Sequence, residues 1–296
     1  MDTVNLYTFI IAAERESFSL AAEQLYLTQP AVSKRIATLE GELGAALFDR
    51  IGRRVSLTEA GRELLPRARA ILRDIEDSRR LISNLTGHVA GRLSIGTSHH
   101  IGLHRIPPVL RQFTRAYPQV DLDLQFMDSE AACRAVHAGE LELGIVTLPL
   151  EPLTDLHSEL LWRDPLAIVV GRDHPLASRA STPQRPIEVA ELARHHAILP
   201  SEATYTRELL ERSFAPHGLR LHAPMTTNYL ETIKMMVSIG LGWSVLPETL
   251  LSADLVSLPV PALQMTRQLG VVHHRARTLS NAARAMIEAL RATADR

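Results

Sequence analysis

The stretch Ser17-Phe18-Ser19-Leu20-Ala21-Ala22-Glu23-Gln24-Leu25-Tyr26-Leu27-Thr28-Gln29-Pro30-Ala31-Val32-Ser33-Lys34-Arg35-Ile36-Ala37-Thr38-Leu39-Glu40-Gly41-Glu42-Leu43 reads as two short helices joined by a tight turn. Ser19 is expected to cap the first helix, because a serine hydroxyl accepts an orphan N–H of an opening turn. Ala21, Ala22 and Leu25 give that helix a small apolar face, and Tyr26-Leu27 carries the bend. Thr28 can cap the second helix, with Pro30 tolerated in a first turn that needs no internal N–H partner. Val32, Ile36, Leu39 and Leu43 recur at helical spacing and are expected to face inward. Gln29, Ser33 and Lys34, with Arg35 beside them, are left on the outer face near the N-terminus. In a DNA major groove such a face offers an amide for adenine, a hydroxyl, and cations for guanine or phosphate.

Working outward, residues 2–14 form a helix that packs beneath this pair through Leu6, Phe9, Ile10 and Ala13. Gly44 breaks the second helix. Leu47-Phe48-Asp49-Arg50 then leads past Gly52 into Arg53-Arg54-Val55-Ser56-Leu57, a two-stranded wing with Gly52 at its tip. Its arginines would reach phosphates or a narrow minor groove. The formal net charge of the whole chain is only −1. Lys34, Arg35, Arg50, Arg53 and Arg54 nevertheless lie within one short span, so a local basic footprint survives a neutral total.

The run Ser17 to Arg35 resembles the DNA-binding helix-turn-helix of LysR-type transcriptional regulators. Phe18-Ser19, Ala21-Ala22, Leu25, Gln29-Pro30-Ala31-Val32-Ser33 and Ile36 stand where that family has them. Leu39-Glu40, Leu43-Gly44, Leu47-Phe48, Arg50, Leu57-Thr58 and Ala60-Gly61 continue the likeness; Asp2-Thr3-Val4 and Tyr26 depart from it where sequences vary widely. The resemblance implies a winged helix-turn-helix domain over residues 1–58. It would bind an interrupted palindrome in double-stranded promoter DNA through Gln29, Pro30, Ser33, Lys34, Arg35, Arg50, Arg53 and Arg54. RNA polymerase is a possible further partner.

Thr58 can cap a long helix running to about Leu85. Gly61, Ala68, Ile75 and Ile82 lie seven apart, as do Leu64, Ile71, Ser78 and Leu85, a seam too narrow for a globular core helix. Its outer face is charged, so it needs a partner. The resemblance implies that this linker region, 59–87, pairs two subunits in antiparallel fashion through Leu64, Ala68, Ile71, Ile75 and Ile82. A homodimer, with a dimer of dimers beyond it, is then expected.

Thr86-Gly87-His88-Val89-Ala90-Gly91 reads as a hinge, after which strands and helices alternate. Strands are expected at Arg92–Gly96, Val120–Phe126 and Leu141–Val146, with helices at Ile106–Tyr117 and Ser129–Ala138 between them. This order implies a mostly parallel sheet, since parallel strands need helical crossovers. Near Trp162 the pattern restarts, with strands at Leu166–Val170, His196–Leu199, Leu219–Met225, Trp243–Leu246 and Gln268–His273. Helices are expected at Thr204–Ala215, Tyr229–Ile239 and Leu279–Thr293. The overall class is therefore α/β behind an α-rich N-terminal domain. The resemblance implies an effector domain over 88–296, built like a periplasmic solute-binding protein. Subdomain I would take about 92–162 plus 267–296 and subdomain II about 163–266, hinged by two crossing strands.

Ligands of open parallel sheets bind beyond the C-terminal strand ends, where helix starts offer free N–H groups. The first strand runs into Thr97-Ser98-His99-His100, and the second half supplies Pro200-Ser201-Glu202-Ala203-Thr204. Thr147 and Thr226-Thr227-Asn228 also lie at element ends. In the resembling family the effector cleft is built from these regions, so Thr97, Ser98, His99, His100, Thr147, Ser201, Thr204 and Thr227 are candidates. Hydroxyls at helix starts suit a small organic acid or amino-acid-like anion, although each also suits simple capping. His99 and His100 could instead sense pH. His100 and His104, at i,i+4 spacing, could join His99 on a metal, but no cysteine or acidic residue completes a set at recognisable spacing. No metal or cofactor is assigned.

Nothing recommends catalysis. A nucleophile elbow, a phosphate-cradling loop and a metalloprotease motif are all missing. Ile239-Gly240-Leu241-Gly242-Trp243 lacks a third glycine and precedes a strand, so it reads as a helix-to-strand turn. A solute-binding protein or enzyme using only the C-terminal α/β part is the alternative. It has no use for Gln29, Ser33, Lys34 and the arginine wing.

With 296 residues, 46% of them hydrophobic and 22% charged, the chain is globular and long enough for two or more cores. One cysteine, Cys133, excludes an internal disulfide. It reads as a small buried residue rather than a redox sensor. With no leader-like start and no apolar run of membrane-spanning length, the expected compartment is the cytoplasm.

Overall fold

Asp2 begins the fold: its carboxylate accepts the Val4 N–H at 3.1 Å and caps α1 (Thr3–Arg15). Leu6, Phe9 and Ile10 of α1 are buried, as are Ile11 and Ala12. Helix α2 (Phe18–Gln24) is capped by Ser17, whose Oγ accepts the Leu20 N–H at 3.3 Å. Ser19, the expected cap, is already inside the helix. Starting at Phe18 turns that ring inward, edge-on to Phe48 at 5.2 Å, and burial of an aromatic outweighs the choice between two serines. Tyr26 takes a positive φ of 53° at the bend and is 96% exposed. Helix α3 (Gln29–Leu43) is capped by Thr28, with Pro30 in its first turn and Gly44 closing it at φ 68°.

Val32, Ile36 and Leu39 are fully buried, but Leu43 is 40% exposed. The expectation of an inward Leu43 fails because Leu47 and Phe48 fill the core at that end of α3. Glu40 holds them there, accepting their N–H groups at 2.8 and 3.3 Å. Strands β1 (Phe48–Ile51) and β2 (Arg54–Leu57) pair antiparallel, Phe48 opposite Leu57 and Ile51 opposite Arg54.

Helix α4 (Glu59–Leu85) starts on Thr58, whose Oγ1 accepts the Gly61 N–H at 3.0 Å and donates to the Ala46 carbonyl at 2.7 Å. Gly61 lets α4 approach closely, since a Cβ there would stand 2.2 Å from the Leu47 carbonyl oxygen. Ala68 is fully buried, and Leu64, Leu65, Ile71 and Leu72 pack against the same N-terminal core. The picture of α4 as a seam too narrow for a core is therefore corrected. Its first half is a core helix of its own unit, and the large apolar side chains it leaves exposed are Leu81, Ile82 and Leu85.

This computed structural model describes residues 1–51, 54–85, 87–180, 187–218, 221 and 223–295, which fall into two units, Met1–Thr86 and Gly87–Arg296. The second unit opens with β3 (Gly91–Thr97), α5 (His99–His104), α6 (Pro107–Ala116), β4 (Val120–Phe126), α7 (Ser129–Ala138) and β5 (Leu143–Thr147). Next come β6 (Leu156–Gly171), α8 (Val189–Leu192), β7 (Ile198–Leu199), α9 (Tyr205–Phe214), β8 (Met225–Thr226) and α10 (Leu230–Ser238). The chain closes with β9 (Trp243–Pro247), β10 (Leu255–Ser257), β11 (Met265–His274) and α11 (Asn281–Arg291).

Among the described residues seven strands share one sheet, in the order β10-β6-β11-β5-β3-β4, with β9 also on β6. Only β3 with β4 and β3 with β5 are parallel there; β5–β11, β11–β6, β6–β9 and β6–β10 are antiparallel. The expected mostly parallel sheet is corrected to a mixed one. Helical crossovers dictate direction only for strands joined through a helix, whereas β6 and β11 meet head to tail as long crossing strands. Both are longer than the sequence suggested; the first half of β6 alternates poorly between buried and exposed positions, which hides it from a period-two reading. Where they bulge, Gly270 leaves room for the Glu159 carbonyl oxygen, 2.1 Å from where a Cβ would stand.

The expected helix at 106–117 is preceded by α5, a separate single turn and a half. The strands expected at 196–199 and 219–225 shrink to the two-residue parallel pair β7–β8, and Leu219, Arg220 and His222 lie outside the described residues. Two cores flank the crossing strands. One gathers Leu93, Ile95, Phe113, Trp162, Val271 and Met286; the other Ile168, Leu192, Leu210, Phe214, Trp243 and Met265. Among the described residues no helix is long and apolar enough to cross a membrane.

Candidate functional site

In the first unit the open face of α3 begins at its N-terminus. Gln29, Pro30 and Lys34 are exposed and Ser33 is half-buried. Gln29 Nε2 donates to Ser33 Oγ at 2.9 Å, which pre-orders an amide and a hydroxyl one helical turn apart. Arg35 behaves differently: half-buried, it donates from Nη1 to Thr8 Oγ1 at 3.3 Å and so ties α3 to α1. Arg50 and Arg54 lie on β1 and β2, where their backbones are described. Arg53 and Gly52 lie outside the described residues.

In the second unit a cleft opens where β3 and β5 end, beside the start of α7. Ser98, Ser129, Glu130, Thr147, Thr204, Thr206 and Asn228 line it, with His100 and Arg267 at its floor. Arg267 is 5% exposed and Asp164 fully buried; they face each other across β11 and β6, Nη2 to Oδ2 at 2.5 Å and Nε to Oδ2 at 3.1 Å. Arg105 adds a second cation to Asp164 at 3.4 Å, and Arg267 Nη1 also reaches Thr206 Oγ1 at 3.3 Å. Two guanidinium groups thus share the Asp164 carboxylate beneath the cleft, whose lining also carries the Asp128 and Glu130 carboxylates, in a setting where charge is poorly screened.

Direct contacts bridge the two sides. Asn228 Nδ2 donates to Asp128 Oδ2 at 2.8 Å, and the Tyr205 N–H at the start of α9 donates to Glu130 Oε1 at 2.5 Å. Burial pushes the Glu130 carboxyl up despite that bond. The enclosed space is about 50 Å³, room for a few waters but well short of the roughly 300 Å³ at which metabolite pockets begin.

The expected residues divide. Ser98, His100, Thr147 and Thr204 line the cleft. Thr97 donates its buried hydroxyl to the Ile145 carbonyl at 2.8 Å and serves the β3–β5 join instead. Ser201 donates its N–H to Asn228 Oδ1, and Thr227 Oγ1 accepts the Tyr229 N–H; neither lines the cleft. His99 is exposed, its ring stacked on Phe126 at 5.3 Å and edge-on to Tyr229 at 4.8 Å. His100 is 4% exposed, and burial, aided by the Arg267 charge, pushes its imidazole down to about 4. Cys133 is buried and its thiol pushed up to about 11 by that burial, which leaves it inert as a nucleophile.

Sequence reasoning missed Ser129, Glu130, Thr206 and Arg267, and placed Asn228 only at an element end without making it a candidate. Asp128-Ser129-Glu130 follows a strand and opens a helix, just as Thr97-Ser98 does, so the same rule could have found it. Arg267 carries no local signal: its partner Asp164 is 103 residues away.

The family model described as LysR substrate binding domain matches residues 86–295, and that of bacterial regulatory helix-turn-helix proteins, lysR family, matches residues 4–62. The RuBisCO operon transcriptional regulator of Allochromatium vinosum is 31% identical over 96% of this chain and 93% of its own. The structure of full-length CbnR complexed with its target DNA superposes with a TM-score of 0.67 at 20% identity, covering 99% of this chain and 100% of that one. The regulatory domain of Synechocystis CcmR in complex with 2-PG superposes with a TM-score of 0.61 at 25% identity, covering 69% of this chain and 98% of that one.

Proposed function

The chain belongs to the LysR family of transcriptional regulators, DNA-binding proteins with an effector-binding domain, and from that premise we propose how it meets its two kinds of partner. Residues 1–58 read promoter DNA, with the start of α3 in the major groove. Gln29 and Ser33 face base edges, Lys34 a base or phosphate, and Arg50, Arg53 and Arg54 the backbone beside them. Pro30 shapes the first turn, and Arg35 positions α3 through Thr8. The neighbouring CbnR fold, described on its target DNA, supports this docking. Two copies pair through α4, a dimer of dimers assembles from them, and the protein works in the cytoplasm, where RNA polymerase is a further partner.

The effector is a small organic acid. The observation that carries this reading is the buried Arg267 guanidinium beneath a cleft lined by Ser98, Ser129, Thr147, Thr204 and Thr206. That CcmR is described with 2-PG supports a small ligand in a domain of this shape. The space of about 50 Å³ requires the cleft to open for entry, breaking the Asn228–Asp128 and Tyr205–Glu130 bonds. An acid that favours one state of the cleft over the other then has the differential affinity that regulation needs.

A thermal-shift screen of organic acids against the full chain tests the effector half. At least one carboxylate is expected to raise the melting temperature by mass action. Thr147→Val should weaken its binding about tenfold, the worth of one hydrogen bond to a charged group. A screen without a carboxylate hit, or undiminished affinity in the variant, would overturn the assignment. For the DNA half, Ser33→Ala combined with Lys34→Ala should abolish sequence-specific binding by fluorescence anisotropy. Unchanged operator affinity would reject it.

A further inference from the structure

We propose that His100, His104 and Glu231 bind one divalent transition-metal ion, of the zinc, cobalt or nickel class, and so clamp the two subdomains together. The site takes His100 from the floor of the cleft, and the inference stands whether or not the effector is an acid.

The i,i+4 spacing in α5 sets both imidazoles on one side, ring centroids 4.8 Å apart. Glu231, in the first turn of α10, comes from the other subdomain. His104 Nε2 lies 3.0 Å from Glu231 Oε1, and His100 Nδ1 lies 3.8 Å from the same oxygen. One donor atom from each residue falls within 4.8 Å of the others. A tetrahedral ion with bonds of about 2.0–2.1 Å spaces its donors roughly 3.3 Å apart, so a small side-chain adjustment closes the set.

His100 supplies the second observation. Its side chain is 4% exposed, and neither ring nitrogen has a hydrogen-bond partner. A buried imidazole with both nitrogens unmet is costly unless something binds it. The group beside it is a carboxylate with a second imidazole. Arg267, the nearby cation, gives its hydrogen bonds to Asp164 and Thr206. Two imidazoles and one carboxylate suit zinc, cobalt or nickel rather than calcium or magnesium, which prefer all-oxygen sets. Partly exposed His104 gives the ion a way in and leaves a coordination position open. His99 is excluded, its ring being stacked on Phe126 and edge-on to Tyr229.

Cobalt(II) titrated into the full-length apo protein, without DNA or organic acid, tests the site through its visible d–d bands and calorimetric stoichiometry. One ion per chain is expected, with a rise in melting temperature. His104→Ala and Glu231→Gln, both at partly exposed positions, should each weaken binding at least about tenfold and remove that thermal gain. His273→Asn, on β11 with its ring 4.9 Å from that of His157, should change neither. The assignment is overturned if the wild type binds no cobalt, or if either ligand variant binds it as the wild type does.

Discussion

His174 is 9% exposed, and its Nδ1 accepts the Leu176 N–H at 3.2 Å. Burial, with the neighbouring His195 adding to it, holds this imidazole below the usual histidine range. An unfolded histidine takes up a proton near pH 6.5, while the folded one resists. The stability this group contributes is therefore complete above about pH 6.5 and declines as the pH falls through the depressed folded value. His174→Gln keeps an acceptor for Leu176 but cannot titrate. Its melting temperature should fall less between pH 7.5 and 5 than that of the wild type, and parallel curves would refute the argument. At the floor of the cleft, Arg267→Met strands Asp164 with only the longer Arg105 contact. A loss of about 3 kcal/mol is expected by urea unfolding, and one under about 1 kcal/mol would mean that Arg105 satisfies Asp164 alone.

At the scale of elements, caps were readable where the sequence offered a single good residue, as at Thr28 and Thr58, and misread where it offered two, as at Ser17 and Ser19. Which serine wins is decided by the Phe18 ring, a tertiary matter. Gly61 makes the same point more sharply. Its place in a heptad suggested a contact with another chain, yet its empty side chain is needed against Leu47 of its own. Gly61→Ala should cost about 1–3 kcal/mol by circular-dichroism melting, because backbone must move to admit the methyl. That loss opposes the gain of about 1 kcal/mol that alanine brings to an isolated helix. A stabilised variant would show that α4 has room to shift.

For the molecule as a whole, α4 ends in Leu81, Ile82 and Leu85, which are 51%, 68% and 81% exposed. Three large apolar side chains within five residues of one helix call for a partner, which the proposed dimer supplies. Leu81→Glu with Ile82→Glu should convert the dimer to a monomer by sedimentation velocity while leaving the helical signal intact. An unchanged sedimentation coefficient would move the interface elsewhere. The helix-turn-helix, the long helix and the α/β alternation were legible in the chain, because each depends on local periodicity, capping chemistry and turn residues; the short α5, α8 and β10 were not. Ser98 and Thr204 were legible for the same reason, as hydroxyls where a strand or loop meets a helix. The direction of the crossing strands, the division of α4 into a buried half and an open half, and the meeting of Arg267 with Asp164 and of His104 with Glu231 were decided only in three dimensions. Each joins residues far apart in sequence, and no local pattern encodes which distant side chain closes a charge or fills a gap.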